Sequence, residues 1–369
     1  MALAERQQMY RELEAHRKRP LITYVTSKRL GVGASMATDS LPWLIDTLDR
    51  VPHGDSIDFL IASYGGDPMV AWRIMSLLRQ RFKHVSVLIP QTAFSAATLL
   101  ALGADEIVMH RNSHLGPVDM QIDVQGEIGR QRFSTEDIGA FIEYIKTELG
   151  VTDQEHLRRL FETTIREVGT LGVGFTARSS KLAVDLGEKM LRMHLRDGED
   201  DSGCKALVEK LSRQFHSHAY PVSRTEAIEI GLEVKKEEDE IESDLMWRIW
   251  LDLEADLKER QPFSPIIELM NSSCAEHVAS APPQLALAEN AGVSYTAASI
   301  QETQQASQSI EPVEYGYINA MIETHETAFS SVTKGKILAS RKPDLEVQWN
   351  ALTSFHGWIS SNQPSGEIK

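Results

Sequence analysis

Two consecutive stretches of this chain share one construction: an apolar strand, a turn of small residues, then an apolar helix. In the first, Ser56–Ser63 reads as a strand, Tyr64-Gly65-Gly66-Asp67-Pro68 as the turn, and Met69 to about Phe82 as the helix. In the second, the strand His84–Ile89 ends at Pro90, a sharp turn carries Ser95, and Ala96–Leu102 continues as a helix. Another strand begins at Asp105. Strands alternating with helices at this spacing require an α/β domain with a largely parallel sheet, because parallel neighbours need crossover connections.

The same two turns carry the chemistry. A serine at a strand-to-helix turn stands where its hydroxyl can attack, beside a helix N-terminus that stabilises negative charge. The blander alternative is a small residue that caps a buried helix. Upstream, the Gly65–Gly66 turn points backbone N–H groups toward one place, as an oxyanion hole requires. A Gly-Gly pair alone is only a turn signal. One unit supplying donors and the next a serine is more specific. Ser95 is the candidate nucleophile, with Gly65, Gly66 and the Ala96 N–H as oxyanion donors.

Four segments resemble the serine dehydrogenase proteinase family: Ser63–Pro68, Ala93–Thr98, Gly103–Met109 and Leu115–Asp119. These are Clp-fold serine peptidases related to the signal peptide peptidase A group and, more distantly, to the Clp proteolytic subunit. The resemblance continues through Ser134–Asp137 and Phe141–Lys146 to Arg224–Leu232, strongest over residues 20–235. It implies a Clp/crotonase-type fold of repeated strand-turn-helix units and a peptide or unfolded protein segment as substrate. No cofactor is implied. Related peptidases form closed homo-oligomers, so self-assembly is expected, with the apolar edges of helices 3–18 and 245–257 as contacts.

Composition divides the chain as a whole into five segments. An N-terminal helix (1–20) precedes the peptidase domain (21–235), an acidic amphipathic helix (236–270), a flexible linker (271–312) rich in Ser, Ala, Gln and Pro, and a small C-terminal α+β module (313–369). Residues 233–260 hold eleven acidic and five basic residues, but Leu245, Ile249, Leu253 and Leu257 recur every turn, which suits a helix with one solvated face. In the last module a helix is expected at Tyr317–Thr327, followed by short strands near Ala328–Val332, Lys336–Ser340 and Glu346–Trp349. Gly31-Val32-Gly33 lacks the third glycine of a dinucleotide loop. His110 and His114 lie four apart in a loop-forming context with no third ligand, so no metal is expected.

The net charge of −15 disfavours nucleic acid and anionic membranes as main partners. Cys204 and Cys274 are the only cysteines, so a reducing compartment is expected, and the charged N-terminus lacks the apolar core of a signal peptide. The expected location is cytoplasmic, with no membrane span.

The base that assists Ser95 is open. In the Clp proteolytic subunit a histidine follows an Asn-Ser pair; here Asn112-Ser113 leads to Val118 or Asp119 at that position, a departure from the Ser-His-Asp pattern. The signal peptide peptidase relatives use a lysine at about the spacing that separates Ser95 from Lys146. Lys146 flanks the apolar stripe Ile138, Phe141, Ile142 and Ile145, where desolvation would favour its neutral form. His218, oriented by Asp119, and Lys181 are the competitors, in that order. The resulting expectation is an ATP-independent serine peptidase working through an acyl-enzyme. The alternatives are a crotonase-like acyl-CoA enzyme and a catalytically inactive Clp-fold scaffold.

Overall fold

The computed structural model describes residues 3–118, 121–126, 129–134, 137–195, 203–213, 215, 217–273, 308–341 and 347–360. Asp119 and most of the expected linker, 274–307, lie outside the described residues. The chain divides into two compact units. The first comprises Met1–Thr26, Ser35–Asp252 and Ile322–Ala328; the second comprises Ser27–Ala34, Leu253–Met321 and Phe329–Lys369.

The first unit begins with α1 (Leu3–Arg17), β1 (Leu21–Thr26), α2 (Leu41–Arg50), β2 (Ser56–Ala62), α3 (Pro68–Arg81) and β3 (His84–Ile89). There follow β4 (Thr92–Ala93), α4 (Ala96–Leu102), β5 (Glu106–Met109) and β6 (His114–Leu115). A hairpin of β7 (Gln121–Gly126) and β8 (Gly129–Ser134) leads to α5 (Asp137–Thr147), α6 (Gln154–Val168), α7 (Thr170–Arg192) and α8 (Cys204–Arg213). The short β9 (Val222–Ser223) and α9 (Arg224–Glu229) precede α10 (Glu240–Leu257), whose last residues belong to the second unit. The expected α/β architecture of repeated strand-turn-helix units is present.

β1, β2, β3 and β5 are neighbours in that order and pair in parallel, with Leu21, Asp58, Ser86 and Glu106 in one row across them. β1 is buried along its whole length, and β2 and β3 are buried beyond their first residues. This is the expected state of parallel strands covered on both faces, and it explains why they read as continuous apolar runs. The polar row lies at the start of the strands, where Arg17 from the end of α1 neutralises it. Its guanidinium donates to Asp58 Oδ1 at 3.0 Å and Glu106 Oε2 at 2.9 Å, and also bonds Glu242. Burial raises the Asp58 pKa, whereas at Glu106 burial is outweighed by Arg17 and the carboxyl is held below its usual range.

A second buried charge cluster fixes α1 more deeply. Arg6, 2% exposed, bonds both oxygens of Glu323 at 2.8 and 2.9 Å and also bonds Asp252. Tyr10 donates to Glu323 Oε2 at 2.7 Å. Burial, then the adjacent Glu323 charge, pushes the Tyr10 hydroxyl pKa well above its ordinary value. Met9, Tyr10 and Leu13 of α1 are buried, as are Leu245, Ile249, Leu253 and Leu257 of α10. The apolar stripes expected to serve as exposed assembly contacts are therefore core residues, and assembly through them is corrected. Amphipathic helices bury their apolar stripe on whatever lies nearest, here their own chain.

The second unit contains α11 (Pro265–Met270), most of the long strands β10 (Gln308–Glu323) and β11 (Ala328–Arg341), and all of β12 (Val347–Ser360), with β11 between the other two. The helix expected at Tyr317–Thr327 is instead the second half of β10 and a turn. Ala320–Thr324 is buried without interruption, and a continuous apolar run does not distinguish a strand from a buried helix. The turn settles it: Thr324 Oγ1 accepts from the N–H groups of Glu326 (3.1 Å) and Thr327 (3.0 Å), reversing the chain into β11. The separate short strands expected afterwards are the continuous β11 and β12.

Replacing Arg6 with Met should cost about 3–5 kcal/mol, because two buried carboxylates lose their partner. Replacing Arg6, Asp252 and Glu323 together with apolar residues should recover most of that loss. Urea unfolding of the two variants against the parent chain checks both statements.

Candidate active site

The two strand-turn-helix units meet at their turns. Ser63 N donates to Thr92 O at 2.9 Å and Phe94 N to Ser63 O at 3.0 Å, a parallel bridge between Ser63 and Ala93 that carries the strand pairing up to the turns. Beyond it, Gly65 (φ +94°) and Gly66 (φ +150°) adopt backbone conformations that side chains disfavour. A β-carbon built on Gly65 would lie 2.5 Å from Phe94 O and 2.9 Å from both Ala96 N and Ser95 Cβ. Gly65 is thus pressed directly against the serine turn, and only glycine fits.

Gly66 is held from the other side. Met36 N donates to Gly65 O at 2.8 Å and Asp67 N to Met36 O at 2.9 Å. In this parallel bridging pattern the central residue turns its own N–H away from the partner strand. The Gly66 N–H is therefore directed away from Met36. Asp67 then caps α3 by accepting from Met69 N at 2.8 Å, with Pro68 in the first helical turn. The Gly65 N–H is engaged: it donates to Ser63 Oγ at 3.0 Å. Gly65 serves close approach more than donation, a division the sequence does not reveal.

Ser95 has φ +53° and ψ −116°, a rare conformation for a residue with a side chain. It occupies the N-cap position of α4 but makes no capping hydrogen bond. The bland reading of Ser95 as a helix cap is therefore absent from the geometry. Ala96 is the first residue of α4, where a helix leaves its N–H groups without intrahelical acceptors. The turn is fixed by Thr98, buried, whose hydroxyl is shared between Ala93 O (2.7 Å) and Gly116 O (2.9 Å). Every residue of α4 is buried. A strained residue held by such surroundings is a common sign of a site rather than of packing.

Phe94 forms one wall. Its ring lies 5.6 Å from Tyr64 and 5.3 Å, edge-on, from His114. His114 stands on β6, which pairs in parallel with β4 and antiparallel with β9. Its Nε2 is 3.4 Å from Thr92 Oγ1. The sequence singled out His114 only through its spacing from His110. His110 instead stacks on Trp247 at 4.8 Å, while burial and Arg111 lower its pKa. The two histidines are turned to different neighbours.

Of the residues chosen from sequence, the structure brings together Ser95, Ala96, Gly65 and Gly66. The candidate bases lie on later elements. Lys146 is exposed on α5, whereas the adjacent Ile145 is buried. The expected desolvation of Lys146 is thus corrected for the chain alone: successive helical residues diverge by about 100°, so a narrow buried stripe leaves its neighbour in water. Lys146 borders a groove of about 460 Å³ between α5 and α6, with Phe141, Ile142, Leu157 and Phe161 among its walls. Lys181 is exposed on α7, and His218 is half-buried in the segment before β9. Asp119 lies outside the described residues.

Residues 1–127 match the family of ClpP-like SDH-type serine proteinases, so the family resemblance holds over the stretch that contains both turns. The match supports a serine-protease reading and the Clp-type α/β fold. Two uncharacterised proteins of Methanocaldococcus jannaschii are 29% and 26% identical over 191 residues, 52% of this chain and 56% and 57% of theirs. The chain spans little more than half the length of these relatives. Among solved structures, a membrane-bound stomatin-specific protease aligns over 58% of this chain and 79% of its own, at 14% identity and a TM-score of 0.31. No helix among the described residues is long and apolar enough to cross a membrane.

Ser95→Gly should stabilise the fold by about 1 kcal/mol, because glycine relieves the positive φ. Gly65→Ala should destabilise it by driving Cβ into Phe94 O and Ala96 N. Thermal melts of both variants measure the opposite signs; a capping role for Ser95 would make Ser95→Gly neutral or slightly unfavourable.

Proposed function

We propose that this chain is an ATP-independent serine peptidase in which Ser95 attacks a peptide carbonyl and forms an acyl-enzyme. The observation that carries the reading is the contact of the two turns: Gly65 against Ser95 and Ala96, with Ser95 strained and released from capping. In attack, the Ser95 Oγ–carbon bond forms as the hydroxyl proton passes to the base. The carbonyl oxygen gains charge beside the N–H groups of Gly66 and Ala96. Protonation of the leaving amine releases the first product, and water repeats the sequence to free the acid. The substrate class is a peptide or an unfolded protein segment.

The base is assigned to Lys146, with His218 as the competitor. Lys146 is exposed on α5, so its use requires that bound substrate or assembly cover it.

Ser95→Ala should abolish both hydrolysis of a peptide library and labelling by a fluorophosphonate, while leaving the melting temperature close to the parent's. Unchanged turnover in Ser95→Ala would sink the peptidase reading.

The base assignment has its own test. Lys146→Ala should lower kcat by orders of magnitude with little change in KM, since a proton-transfer group acts in the transition state. If His218→Ala is silent and Lys146→Ala is near normal, the histidine takes the role.

A further inference from the structure

The second unit ends in an edge strand that lacks most of the usual devices of edge protection. β12 is the terminal strand of its sheet, paired on one side with β11. Among the described residues nothing pairs with its other side. An edge strand presents a row of unpaired N–H and C=O groups, and proteins protect such edges with charge, proline or shortness. β12 runs from Val347 to Ser360 and contains no Asp, Glu, Lys, Arg or Pro. The strands inside it carry the charges: Glu311, Glu314 and Glu323 on β10, and Lys334, Lys336 and Arg341 on β11. This reverses the distribution that guards an edge.

One protective device is present, a bulge at which Ser354 is skipped between the pairs Lys334–Phe355 and Gly335–Thr353. It divides β12 and leaves Val347–Thr353 as an uninterrupted run of ordinary strand length. Within this run both faces carry a large apolar side chain in water. Trp349, 47% exposed, pairs with Ala339 and shares its face with the buried Ile337 and Ala339. Leu352, 48% exposed, pairs with Lys336 on the opposite face, where Leu338 is 40% exposed. A strand with exposed apolar residues on both faces and an open edge is built to have a neighbour.

We infer that this neighbour is β12 of a second copy, laid antiparallel to the first through Val347–Thr353 across a two-fold axis. The charge pattern selects that occupant. The chain carries a net charge of −15, so two copies repel at most surfaces, yet an uncharged strand meets its own copy without like charges in register. A two-fold axis uses one patch twice and closes at a dimer. Each copy would supply backbone partners to the other and cover the Trp349 and Leu352 side chains. The inference is independent of Ser95 and concerns a surface different from the buried α1 and α10 stripes.

The test uses the full chain. Light scattering at micromolar concentration should give a dimer mass for the parent, and Trp349→Lys with Leu352→Lys should give a monomer with an unchanged far-ultraviolet spectrum. Hydrogen exchange at two concentrations supplies a second readout, with amides of 347–353 more protected at the higher one. A monomeric parent overturns the inference. So does an oligomer that survives both substitutions, or concentration-dependent protection confined to other segments. If the double variant unfolds, the parent's exchange pattern alone decides.

Discussion

The site depends on a steric constraint at Gly65. Its Cα is packed against Phe94 O, Ala96 N and Ser95 Cβ so closely that a single added carbon would collide with all three. Contact at that distance is possible only because β2 and β3 are neighbours in a parallel sheet and the Ser63–Ala93 bridge extends their pairing into the turns. The Ser95 turn and the Gly65–Gly66 turn are thus placed by backbone hydrogen bonds, not by flexible side chains. Under the proposed reading such a site is preorganised, since its donors are already held where charge would develop.

The price of that placement is local strain at Ser95, and the surroundings show how it is sustained. α4 is buried along its length, and Thr98 ties its first turn to Ala93 and Gly116. At the opposite end of the strands, Arg17 neutralises the row containing Asp58 and Glu106. The Arg17 charge pairing thus lies at the strand starts, while the rings of Tyr64 and His114 gather on Phe94 at the turn end. Buried ion pairs of this kind add little net stability relative to apolar packing, but breaking one is costly.

The candidate bases illustrate a different constraint. Lys146, Lys181 and His218 stand on segments remote in sequence from Ser95, and none shares its turn. A serine nucleophile needs a base, and under the proposed peptidase reading that base must come from one of these later segments.

The sequence by itself determined the α/β fold, the two turns and the serine. Each rests on local signals: β-branched runs bounded by Gly and Pro, and small residues where helices must start. It also determined that Lys146 borders an apolar helix stripe, but not that Lys146 is exposed, since a stripe says nothing of how wide the covering surface is. Only the tertiary structure decided that Gly65 donates to Ser63 and that Ser95 makes no cap, because both depend on atoms brought together across the sheet. It likewise decided that Tyr317–Glu323 is a strand, since the buried run there fits either period until β11 pairs beside it. The stripes on α1 and α10 were legible as apolar faces, but only the folded chain shows both buried, because a stripe does not record what packs against it.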